Sequence, residues 1–146
     1  MAQFGRPSAD TSIGTYKDEA DGTTNIYTHI DESVASDTDY IKSVSAPSSA
    51  PYVTKLSTLE DPVSSSGHVV RYRYAKNTSG GAQIDLVVQL RQDYVSEGTP
   101  GTLIASNSHS NISNSFTDGT ITLSGGEADN ITDYTNLYLR FVFNQV

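Results

Sequence analysis

Two stretches of strict alternation constrain this chain more than anything else in it. In "AQIDLVVQLRQ" the apolar residues Ile84, Leu86, Val88 and Leu90 fall at every second position. In "TNLYLRFVF" Leu137, Leu139, Phe141 and Phe143 do the same, with Tyr138, Arg140 and Val142 between them. A period of two sends successive side chains to opposite faces, so each stretch reads as a strand with one buried face. Left at the edge of a sheet, so apolar a strand would invite aggregation. The final strand is therefore expected in the middle of its sheet.

Weaker signals of the same kind recur along the chain. "TNIYTHI" (24–30), "DYIKSV" (39–44) and "PYVTKLSTL" (51–59) read as the first three strands, with the Pro- and Ser-rich "SAPSSAP" between the second and third. "GHVVRYRYA" (67–75) alternates His68, Val70, Tyr72 and Tyr74 against Val69, Arg71, Arg73 and Ala75. The turn "KNTSGG" then leads into the strand at 82–92, which predicts a hairpin. "GTLIASNS" and "GTITLS" supply two shorter strands. Ser124 followed by Glu127 matches a capping box and predicts one short helical turn. Before Ile13 the one strongly apolar residue is Phe4, and residues 1–23 show neither period. The expected architecture is all-β: an antiparallel, jelly-roll-like β-sandwich of about eight strands over 24–146, preceded by an extended arm over 1–23.

Composition narrows the function classes. At 146 residues the chain is one ordinary domain. Its net charge of -8 argues against a general nucleic-acid binder, which neutralises phosphates with a basic surface. Without cysteine there is no disulfide framework and no thiolate metal site. The start, "MAQFGRPSAD", lacks the basic and apolar regions of a signal peptide, and no apolar run approaches the roughly 20 residues that cross a bilayer. The expectation is a soluble chain made in the cytoplasm, with no membrane partner.

Little in the sequence suggests catalysis. His29, His68 and His109 lie far apart, in no ligand spacing, and read as surface or strand-face residues. G-x-S-x-G, P-loop and G-x-G-x-x-G motifs are missing. "DTD" at 37–39 reads as a turn held by Asx hydrogen bonds in preference to an ion site. The carboxylates at 18, 19 and 21, at 60 and 61, and at 127, 129 and 133 match no calcium loop, so they read as solvated turns. No metal, cofactor or catalytic residue is expected. The basic residues are better organised, because Arg71, Arg73, Arg91 and Arg140 all fall on strands. They suit cross-strand pairing with local carboxylates, or a guanidinium patch, with Tyr72, Tyr74 and Tyr138, that clamps another subunit.

Three segments in order carry a resemblance. "RPSADTSIGTY" with "IYTHIDESVASDTDYI", then "LEDPVSSSGHVVRYRYAKN", then "EADNITDYTNLYLRF" together resemble small β-sandwich virion structural proteins of tailed bacteriophages and prophages. The resemblance spans nearly the whole chain and is looser at 93–100 and 107–117. It implies a noncatalytic capsid decoration or cement protein on the outside of the head, bound to major capsid protein subunits, with a homotrimer as the favoured assembly. The residues themselves point to partner contacts at Phe4, Arg6, Ile13 and Tyr16 on the arm, with Arg71, Arg73, Arg91 and Arg140 on the strands. A tail or neck adaptor, a fibre-base protein, and a carbohydrate-binding module with an exposed pair of coplanar tyrosines are the alternatives.

Overall fold

Leu137–Gln145 is the middle strand of a five-stranded antiparallel sheet, as its alternation predicts. A computed structural model of the chain describes residues 2–77 and 81–146. In chain order the described strands are β1 (Pro7–Ser12), β2 (Lys17–Asp18), β3 (Ile41–Lys42), β4 (Ala50–Leu56), β5 (Val69–Tyr74), β6 (Ile84–Gln92), β7 (Thr102–His109), β8 (Thr117–Thr122) and β9 (Leu137–Gln145). The main sheet runs β1-β4-β9-β6-β7, and β2-β3 and β5-β8 form two-stranded ladders. A single helical turn, α1 (Gly125–Asp129), sits before β9, closed by the expected Ser124–Glu127 capping box.

The pairing is nested. β4 pairs with β9, β5 with β8 and β6 with β7, so the chain from β4 to β9 doubles back on itself. Among the described residues the second sheet holds two strands, not the four of a full jelly roll. This wiring corrects the hairpin expected between β5 and β6: their connection passes from one sheet to the other. Its turn, at 76–81, lies partly outside the described residues. Alternation specifies which face of a strand is buried and says nothing about its neighbour. The observed partner accommodates a side-chain fit. Tyr72 pairs with Gly119 across β5 and β8, and a Cβ at Gly119 would run into the Tyr72 ring.

One face of the main sheet carries Leu86, Val88, Leu90, Leu137 and Leu139, all buried. At one end β5 and β8 cover this face with Val70, Tyr72 and Ile121, joined by Leu123 just after β8. At the other end Tyr16 and Ile26 join Tyr52 of β4, and Ile13, Ile30 and Ile41 pack around them. Phe141 and Phe143 belong to both groups and connect them.

The amino-terminal expectation does not hold. Residues 1–23 are no free arm, because β1 is the edge strand of the main sheet and Tyr16 is 1% exposed in the core. Strand β1 lacks apolar alternation and carries two register irregularities, which hid it from a period search. "TNIYTHI" is also not a strand: Ile26–His29 is a 3₁₀ helix. Asp10 decides that outcome. Its carboxylate accepts hydrogen bonds from the Ile26 N–H at 2.8 Å and the Tyr27 N–H at 2.9 Å. The same group accepts the hydroxyl of fully buried Tyr52 at 2.8 Å. A capping carboxylate from a distant strand satisfies the helix's first amides, where no local side chain does so. "DYIKSV" contracts to the two residues of β3.

Each unsatisfied buried group costs about 1–3 kcal/mol. Asp10→Ala is therefore expected to lower stability by at least about 2 kcal/mol in urea unfolding, since it strands two amides and a hydroxyl at once. Tyr52→Phe should cost less. The pair should be non-additive in a double-mutant cycle, and additive behaviour would show that the Asp10–Tyr52 contact carries no energy.

Candidate functional site

The strand arginines do not form one patch. Arg71 and Arg73 alternate with core-facing Val70, Tyr72 and Tyr74, so they lie on the outer face of the β5-β8 ladder. Arg91 and Arg140 alternate with Leu90 and Leu139 and lie on the far face of the main sheet. The two pairs are on opposite outsides of the sandwich.

Three of the four are engaged within the chain. Arg73 grips Asp37 with Nε at 2.6 Å and Nη2 at 2.9 Å, and reaches its cross-strand neighbour Asp118 at 3.0 Å. Its guanidinium also lies over the Phe116 ring, whose other neighbour is Tyr40. These contacts tie the segment before β3 to the second sheet, and they hold the Asp37 carboxyl below its usual range through the Arg73 hydrogen bond. Arg140 grips Glu97 the same way, with Nε at 2.9 Å and Nη2 at 2.6 Å, while Tyr94 donates to Glu97 at 2.8 Å. Tyr94 packs on Val53 and Tyr138, so this pair fastens the 93–100 loop over the sheet's far face. Arg91 donates to Gln89 at 2.9 Å and to the Pro100 carbonyl at 3.1 Å; its pKa is lowered by desolvation and then by nearby Arg140. Arg71 is exposed and has no hydrogen-bond or ionic partner among the described residues.

The amino-terminal candidates divide likewise. Phe4 is 66% exposed, with the Arg6 guanidinium 5.7 Å from its ring centroid. Arg6 also donates to the Glu32 carbonyl at 2.5 Å. Ile13 packs half-buried against the core, and Tyr16 is buried in it and not available to a partner. Burial raises the Tyr16 hydroxyl pKa well above its ordinary value. The Tyr72–Tyr74 pair, with rings 5.9 Å apart, also packs inward and shares His109 through bonds of 2.7 and 3.0 Å.

His68 and His109 are structural, bonded to tyrosine hydroxyls. His29 is different, and the sequence reading missed it. The imidazole lies at the end of the 3₁₀ helix, where the β2-β3 ladder brings Asp18 and Glu19 beside Asp39. Nδ1 is 2.5 Å from Asp39 Oδ1 and 3.1 Å from Glu19 Oε2, and Nε2 is 3.6 Å from Asp18 Oδ2. Partial desolvation pulls the imidazole pKa down, but Asp39, Glu19 and Asp18 outweigh it, so the net shift is upward. Burial raises the Glu32 carboxyl, with Asp39 and Asp31 adding to the effect. The expected Asx turn at 37–39 is replaced by long-range bonds, Asp37 to Arg73 and Asp39 to His29.

Between the two covers of the main sheet runs a cleft of about 1970 Å³, floored by Leu139, Phe141 and Phe143 and bordered by residues of the 32–47 segment. No family model, curated protein or solved structure matches this chain.

The Glu97–Arg140 pair makes a pH prediction. The Arg140 hydrogen bond depresses the Glu97 pKa. Its contribution is fully present above the ordinary glutamate value of about 4.3 and is lost as pH falls through the lower folded value. The Tm difference between the parent chain and Glu97→Gln should accordingly shrink from pH 6 to pH 3, and a constant difference would assign the pair no such role.

Proposed function

We propose that this chain is a noncatalytic virion structural protein, and that it acts as a decoration protein bound to the exterior of a phage capsid. The resemblance of its ordered segments to such proteins supports the reading, as does a small antiparallel sandwich whose charged side chains are largely spent on internal fastening. The observation that carries it is the outer face of the β5-β8 ladder. There an unpartnered Arg71 stands beside exposed Val69, which is 42% accessible, and Thr120 and Thr122 lie opposite them on β8.

With β1 built into the sheet, attachment does not rest on a long strap. The candidate contacts reduce to Arg71 with Val69, and to the short lead ending in Phe4 and Arg6. A single arginine in a well-packed contact is a common energetic anchor. Repetition over a lattice makes many such modest contacts act together, and selective binding to the mature shell stabilises it by mass action.

The test is localisation. Particles of the phage or prophage encoding the chain should contain it by mass spectrometry and show its density on the head surface by cryo-electron microscopy. Arg71→Glu should weaken binding to isolated shells by at least about tenfold while leaving thermal unfolding nearly unchanged. Absence from the particle would overturn the reading, and density at the neck or tail would reassign the protein to an adaptor.

A further inference from the structure

We propose that Glu19, His29 and Asp39 form a binding site for one first-row divalent cation, with zinc the best match. The sequence predicts no metal, since its histidines fall in no ligand spacing and its carboxylates match no calcium loop, and these three ligands sit on separate segments. The fold brings them together, and their ligating atoms all lie within 4.8 Å of one another. Ligand atoms around a tetrahedral zinc are spaced roughly 3.4 Å apart, from metal–ligand distances of about 2.0–2.2 Å. Small side-chain shifts would bring all three atoms to one centre.

Hydrogen bonding alone leaves this arrangement unsatisfied. Nδ1 of His29 faces two carboxylate oxygens at once, Asp39 Oδ1 at 2.5 Å and Glu19 Oε2 at 3.1 Å. The Nδ1 hydrogen bond goes to Asp39 Oδ1, and Glu19 Oε2 is left without one. Glu19 Oε2 is sealed from solvent and makes no hydrogen bond, and the same holds for Oε1 of nearby Glu32. A cation between the imidazole and the two carboxylates would satisfy Nδ1, Glu19 and Asp39 together.

The far side of the ring is compatible with this arrangement, a carboxylate standing just beyond hydrogen-bond distance there. Metal-bound imidazoles regularly donate their other N–H to a carboxylate, which fixes the tautomer and the ring plane. Asp18 Oδ2 lies 3.6 Å from Nε2 in that position. The Asp18 carboxylate is held there by its other oxygen, which accepts the Ala20 and Gly22 amides at 2.9 and 2.7 Å. Gly22 leaves the room for it, since a Cβ there would strike Asp18 Oδ2. An imidazole in the ligand set favours zinc over calcium or magnesium, which prefer all-oxygen shells. The ion would pin the 3₁₀ helix to both sides of the β2-β3 ladder, in a region with few regular hydrogen bonds. The inference is independent of where the protein resides.

The experiment is a zinc titration of the full chain after stripping with chelator, read by calorimetry and by thermal unfolding. One saturable site and a rise in Tm are expected. His29→Gln and Asp39→Asn should each weaken binding by at least about tenfold and shrink the Tm rise at a fixed zinc concentration. The rise is measured against each variant's own metal-free Tm, so a destabilised variant still reports. Cobalt should give a visible absorption band that His29→Gln removes. No saturable zinc binding, unaltered binding in His29→Gln, or calcium and magnesium binding as tightly as zinc would each overturn the proposal.

Discussion

The Asp10 carboxylate is the contact on which the amino-terminal half of the molecule depends. It projects from the edge strand, takes the free amides of a 3₁₀ helix and closes the hydroxyl of a buried tyrosine. One charged group thereby joins the sheet edge, the core and the segment that carries His29. Without it the helix has no cap of its own, because Asn25 provides no side-chain bond. Burial of Tyr52, together with its bond to Asp10, also holds that phenol neutral far above ordinary pH.

The same economy governs the basic residues. In an acidic chain, Arg73 and Arg140 are used as two-pronged fasteners, each gripping one carboxylate on an irregular segment. Planar guanidinium groups suit that task because two parallel hydrogen bonds fix orientation as well as distance. Arg73 draws the segment before β3 onto the second sheet, and Arg140 draws the 93–100 loop onto the far face of the first. Loops with little regular structure are in this way locked onto a sandwich whose second sheet has two strands among the described residues. Arg71, outside these networks, is the strand guanidinium left facing solvent.

Sandwich and loops together create the chemistry around His29. Carboxylates from both sides of a two-residue ladder converge on an imidazole delivered by a helix that Asp10 caps. Hydrogen bonding within that cluster is incomplete at one atom: Nδ1 is bonded to Asp39, Glu19 Oε2 beside it has no hydrogen bond, and Nε2 faces a carboxylate held by backbone amides.

Alternation at 84–90 and 137–143 was enough to identify the two longest strands, their buried faces and the central place of β9. Ser124 and Glu127 likewise announced their helical turn, since a capping box is a contact between neighbours in sequence. What depended on distant partners was not legible. β1 has no apolar period, and its place in the sheet comes from pairing with β4 and from Asp10. "TNIYTHI" has the composition of a strand but takes its helical form from a carboxylate sixteen residues earlier. The partner of β5 is β8, where a glycine leaves room for a tyrosine ring. Periodicity records which side of a strand meets water, because that is a property of each residue and its neighbours. Strand order, the separation of the arginines and the meeting of Glu19, His29 and Asp39 arise from closing the chain in three dimensions, and only the folded structure decides them.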